Sequence, residues 1–120
     1  MAERYTSDAT YEPGTVVAFG GDAEVTMSTE TMDSRIAGVV STNPAYLMNA
    51  DLEGTQVAVA LTGRVPVKVT GTIRKGDMLV SAGEGYAKAE ANPRMGSVIG
   101  KALEDFNGTN GIIEVVVGRL

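Results

Sequence analysis

The sequence predicts an all-β fold: a small barrel or two-sheet domain built from two pseudo-repeated lobes, with at most one short helix. Three observations carry this expectation. Residues 56–70, QVAVALTGRVPVKVT, place Val57, Val59, Leu61, Val65, Val67 and Val69 on one face and mostly small, cationic or proline residues on the other. Alternation over that length is a strand pattern. Fifteen glycines stand against two Phe, four Tyr and no Trp, which suits short strands joined by tight turns. Finally, a hairpin followed by a glycine-containing strand occurs twice.

Each element follows from its residues. The opening 1–13 is polar, lacks a clean period and reads as a lead-in. Pro13-Gly14 turns the chain into TVVAFGG, a strand. Gly20-Gly21-Asp22 reads as a hairpin turn and AEVTMST as the return strand. TETMDS is a loop, and RIAGVVST a third strand. In the segment that follows, Asn43 can cap a helix, Pro44 suits its first position and Gly54 can stop it; an ordered loop is the alternative. The long 56–70 strand comes next, with Gly63 expected to bend it and Pro66 expected at an edge or bulge. GTIRKGD turns. DMLVSAG and GYAKAEA form a hairpin around Gly83-Glu84-Gly85. GSVIGKALE is a strand, DFNGTNG a loop and IIEVVVGRL the closing strand.

The repeat is read by setting Gly14 on Gly76. Val16 then meets Met78, Gly21 meets Gly83 and Gly38 meets Gly100 at one offset of 62. VAVALTGRV at 57–65 lies over IIEVVVGRL at 112–120 at a different offset, 55. The expected organisation is a lead-in at 1–13 and one β domain at 14–120. Its lobes cover about 14–70 and 71–120, packed with pseudo-twofold symmetry around one core.

Composition narrows the chemistry. With no Cys and no His, disulfides, thiolate catalysis, Cys/His zinc sites and the neutral-pH imidazole shuttle are excluded. A formal net charge of −5 with scattered Lys and Arg argues against nucleic acid as a partner. No apolar run is long enough for a membrane-spanning helix, and no membrane partner is expected. The glycine turns lack the Lys-Ser/Thr pair of a phosphate cradle, and the carboxylates lack calcium-loop spacing, so no cofactor or metal is expected. Turn residues such as Asp22, Asp33 and Asp105 read as backbone-bonding groups.

The closing strand is apolar on both faces, with Ile113, Val115 and Val117 on one and Ile112, Val116 and Leu120 on the other. In so small a domain that suggests a neighbouring subunit over one face; the alternative is a two-layer core within one chain. Arg64 and Arg119 each follow a glycine at matched strand ends and can bridge subunits through carboxylates. The candidate oligomer interface is therefore Arg64, Ile113, Val115, Val117 and Arg119.

The stretches YEPGTVVAFGGDAEVT, IAGVVSTNPAYLMN, VAVALTGRVPVKVTG, KGDMLVS and GSVIGKALED together resemble a C-terminal module of tailed-phage virion proteins, especially tail-fibre and other structural proteins of marine phages. More distantly, they resemble the autoproteolytic chaperone domain of phage neck appendage proteins. The resemblance covers nearly the whole chain, and GVVSTNP followed by ALTGRVPVKV is its most specific pair. It implies a homotrimeric β-rich module at the end of a fibre or appendage, located in the virion and made in the host cytoplasm. Its partners would be copies of itself and an upstream fibre or appendage segment. In the chaperone relatives the domain helps a shaft fold and is released by self-cleavage near its start. Here the matching start is MAERY, where Glu3 and Tyr5 fit, and Glu3 is the candidate catalytic carboxylate. The expected role is a structural module that caps or nucleates a fibre; the alternative is a self-cleaving intramolecular chaperone of the glutamic-peptidase type.

Overall fold

The computed structural model describes residues 1–41 and 55–118, and these form ten strands and no helix. The expected helix at 43–54 lies outside them, as does Arg119. In chain order the strands are β1 Ala2–Thr6, β2 Val16–Phe19, β3 Val25–Met27, β4 Ile36–Val40, β5 Gln56–Ala60, β6 Gly63–Ile73, β7 Met78–Gly83, β8 Tyr86–Ala89, β9 Gly100–Ala102 and β10 Phe106–Val117. The first five make a sheet ordered β1-β5-β4-β2-β3, and the last five close into a barrel ordered β10-β6-β8-β7-β9. All ladder pairs are antiparallel except β6 with β8.

The two halves are one pattern built twice, down to the register. Val17–Met27, Ala18–Thr26 and Phe19–Val25 pair β2 with β3; at the offset of 62, Leu79–Ala89, Val80–Lys88 and Ser81–Ala87 pair β7 with β8. Val16–Val39 and Val17–Gly38 become Met78–Lys101 and Leu79–Gly100. A parallel bridge, Ser7–Val25, joins the outer strands of the first sheet where Val69–Ala87 closes the barrel. Loop bonds repeat as well: Gly14 N–H to Val40 O matches Gly76 N–H to Ala102 O, and Ser28 N–H to Val16 O matches Glu90 N–H to Met78 O.

Three expectations about individual elements change. The opening segment is not a lead-in: Ala2–Thr6 is β1, paired with β5 from Ala2–Ala60 to Thr6–Gln56, and it is the counterpart of β6. Its alternation was masked because its inward positions include Glu3 and Tyr5 rather than two aliphatics. The long 56–70 strand is two strands, broken at Leu61–Thr62, so the lobes divide there instead of near residue 70. The Met1 carbonyl accepts the Leu61 N–H at 2.8 Å, and the Met1 ammonium donates to Thr62 O at 2.8 Å. Gly63, at φ 110, redirects the chain into the second lobe. The closing strand begins earlier than read, at Phe106, and aligns with β5 at an offset of 56, not 55. Val40–Val59 and Val39–Ala60 correspond to Ala102–Val115 and Lys101–Val116. The difference matters, because a one-residue slip exchanges the faces of a strand.

Each lobe has its own interior. Val17, Val25, Val40, Val57 and Val59 form the first core cluster. Their counterparts, Leu79, Ala87, Ala102, Ile113 and Val115, all belong to the second. That second cluster also takes in Val16 and Val39, which lie on the outer side of the first sheet. The outer face of lobe one is therefore buried by lobe two.

This packing is head-to-tail and not the expected pseudo-twofold. The Val16 N–H donates to Gly85 O at 2.8 Å, the Gly85 N–H to Ser28 O at 3.0 Å, and the Lys68 N–H to Gly14 O at 3.0 Å. A twofold would repeat these bonds with the lobes exchanged. Thr6, the counterpart of Lys68, instead donates its N–H to Glu24 Oε1 within its own lobe at 2.8 Å.

Candidate functional site

β1 carries Glu3 and Tyr5 on one face, two residues apart as strand geometry requires. The Tyr5 hydroxyl donates to Glu3 Oε2 at 2.9 Å. Burial, the hydrogen bond to Glu3 and the negative charges of Glu3 and Glu24 push the Tyr5 phenol up to about 12. The Tyr5 ring also meets Phe19 edge-on at 5.5 Å, holding the hydroxyl in place. This pair is a carboxylate fixed by a phenol that stays protonated. Among the described residues, no three acidic side chains gather to hold a metal ion.

The interface residues are distributed otherwise than expected. Ile113, Val115 and Val117 are buried inside the barrel of their own chain. The barrel closes over the face that the sequence left open, because β9 and β6 flank β10 on both edges. The outward side of β10 carries Ile112, Glu114 and Val116, with Ile112 61% exposed. Arg64 pairs with Glu114 of the same chain, Nε to Oε1 at 3.0 Å, across the β6–β10 ladder. Arg119 lies outside the described residues.

A row of side chains lies across this outer face, in which the sequence singled out Arg64 but not its neighbours Lys101 and Met78. Arg64 is opposite Val116, Val116 opposite Lys101, and Lys101 opposite Met78, crossing β6, β10, β9 and β7. The matching row in lobe one is Ala2, Ala60, Val39 and Val16, all buried. One face thus exists twice, apolar and covered in lobe one, mixed and uncovered in lobe two. Its signal in the sequence is the substitution of Ala by Arg and Val by Lys at the 62-residue offset.

Elsewhere, charged groups tie the fold together. Asp33 is buried and accepts from the Arg35 backbone N–H at 2.8 Å and from Arg35 Nε at 3.1 Å. Burial pushes its carboxyl up, but those bonds and the charges of Arg35 and Arg94 hold it below the ordinary range. Its N–H donates to Ser81 Oγ of the other lobe at 2.9 Å. That network is structural.

No protein-family model and no curated protein matches the chain. Solved structures do. The bacteriophage phi29 gene product 12 C-terminal fragment superposes with a TM-score of 0.71 at 15% identity, covering 97% of this chain and 98% of that one. The N base of the phi29 head fiber gp8.5 superposes with a TM-score of 0.58 at 19% identity, covering 98% and 93%. At such identities the likeness is one of fold, and it extends over both lobes.

Proposed function

We propose that this chain is a structural module of a phage virion which self-associates, as a homotrimer, to cap or nucleate a fibre or appendage. The observation that carries the reading is the two-lobed β fold, shared over nearly its full length with a phage head-fiber base and a second phage protein fragment. The physical rationale is registration. Aligning three long chains is costly in entropy, and a stable association at one end raises the effective concentration of the remainder. The partners are further copies of the chain and an upstream fibre segment; the place of action is the virion, after synthesis in the host cytoplasm. Molar mass in solution by light scattering tests this: a trimer is expected, and a monomer at micromolar concentration overturns it.

A second reading is favoured by the Glu3–Tyr5 pair at the start of the domain. If the module is a self-cleaving chaperone, a chain extended upstream is clipped just before Glu3, and Glu3→Gln stops the clipping. An extended protein that stays intact on long incubation removes this reading and leaves the structural one in place.

A further inference from the structure

The head-to-tail packing leaves the counterpart of the Gly85 contact unused. In lobe one, the groove lined by Thr15, Val16, Met27 and Ser28 receives the Gly83-Glu84-Gly85 turn of lobe two. Gly85 bonds Val16 N–H and Ser28 O through its own carbonyl and N–H. The fit is close: a Cβ on Gly85 would lie 2.8 Å from Thr15 Cγ2 and 3.1 Å from Met27 Cγ. At the offset of 62 this groove becomes Asp77, Met78, Ala89 and Glu90. There lies a cavity of about 470 Å³, lined by those residues with Gly76, Ala91 and Lys101. The turn at the same sequence offset is Gly21-Asp22-Ala23, which is largely exposed. Gly21 shares the positive φ of Gly83, whereas Asp22 and Ala23 lack the left-handed φ of Glu84 and Gly85, so docking would require the turn to tighten.

We infer that the cavity at Met78, Ala89 and Lys101 is a docking site for the Gly21–Ala23 turn of a second copy of this chain. The two halves are complementary in size. Within the chain, large Met27 faces Gly85, which has no side chain; between copies, small Ala89 would face Ala23, so the added methyl has room. The charges at the cavity are mixed. Val39, covered inside the chain, is replaced by Lys101, which would pair with Asp22 of the entering turn in a charge-assisted contact, while Asp77 and Glu90 line the same cavity and restrict the turn to the Lys101 side. Backbone groups follow the same pattern: Met78 N–H and Glu90 O are the counterparts of the two groups that hold Gly85. Such a contact is heterologous, each copy giving a turn and receiving one, and it either closes into a ring or propagates. The inference deepens the self-association proposed above and rests on it, with the homotrimer as the ring closed at three.

The test is sedimentation analysis of the full chain and its variants, with circular dichroism to verify folding. Ala89→Met, which copies Met27 into the empty groove, is expected to abolish association. Adding Ala23→Gly to it restores the Met/Gly pairing and with it the oligomer. Lys101→Glu, on the surface and harmless to folding, is expected to weaken association by about tenfold or more, and Asp22→Lys in the same chain to recover it. If the wild type is an oligomer that neither Ala89→Met nor Lys101→Glu disturbs, self-association stands and this docking site is wrong. If the wild type is monomeric, both fall.

Discussion

At the scale of single residues, the duplication explains positions that otherwise look arbitrary. Gly38 and Gly100 are equivalent, and each lies where its strand crosses close to the partner strand. A Cβ on Gly38 would overlap the Ala60 carbonyl oxygen, and one on Gly100 the Val116 carbonyl oxygen. Those acceptors are themselves equivalent, so one close approach is made twice. Backbone cannot yield as a flexible side chain can, and Gly100→Ala is expected to destabilise by about 3 kcal/mol or more, measured by urea unfolding. Tyr5 gives a second expectation. In the unfolded chain its phenol titrates near 10, whereas in the fold it keeps its proton to about 12. Between these values the unfolded state has already released the proton, so unfolding becomes easier as pH rises. This stabilisation is complete below about pH 10 and declines toward 12. Tyr5→Phe removes that alkaline decline, which urea midpoints across this range report. Neither effect was legible in the sequence. Glycine spacing shows that a turn or close approach exists but not which atom lies opposite, and a phenol's surroundings come from strands far along the chain.

At the scale of elements, alternation was readable and register was not. The inward set Val57, Val59, Val67 and Val69 was visible in the period-2 pattern, and Pro66 does sit where β6 has β10 as its one ladder neighbour, with β8 joining only at Val69. The boundary between β5 and β6 was hidden because the pattern continues through Leu61 without interruption; the lobes are separated by a change of direction, which hydrophobicity does not encode. The closing strand shows the cost of a one-residue error. At an offset of 55, gapless identity aligned Gly-Arg with Gly-Arg, but the hydrogen-bond ladder prefers 56, which keeps Val59 with Val115 on the inward face. Sequence similarity at the strand end gave way to burial along its length. Two substitutions separate the faces. Val115→Ala, in the barrel interior, is expected to cost about 2 kcal/mol. Ile112→Ala, on the exposed side, should change stability by no more than about 0.5 kcal/mol. Denaturant midpoints of the two variants decide whether the assigned register is correct. The Arg64–Glu114 pair belongs to that exposed side. Arg64 is mostly in solvent, and such pairs contribute little to stability, so its importance lies in what approaches the face.

At the scale of the molecule, the question is whether two similar lobes behave as two units or as one. Their separate interiors suggest two. Yet Val16 and Val39 belong by strand to lobe one and by contact to the core of lobe two, and backbone bonds from Val16, Gly85, Lys68 and Met32 cross the border. Removing lobe two would expose the row Ala2, Ala60, Val39 and Val16 to water and leave the Val16 N–H without its acceptor. Removing lobe one would leave Gly85 and Lys68 without theirs. Because the contact is head-to-tail, these losses fall on different surfaces, and lobe one loses the more apolar one. Lobe two has charge on its corresponding row, which no further lobe of the chain covers and which therefore loses little by standing alone. Unfolding should therefore be a single cooperative event. The Tyr11 and Tyr86 environments, one in each lobe, should lose their structure at the same denaturant concentration as the backbone signal. Val39→Ala, although it lies in lobe one, should lower that common midpoint for both, since the cavity it leaves opens in the core they share. Two separated transitions, or a shift confined to the lobe-one probe, would mean that the border between the lobes carries less of the stability than its buried valines indicate.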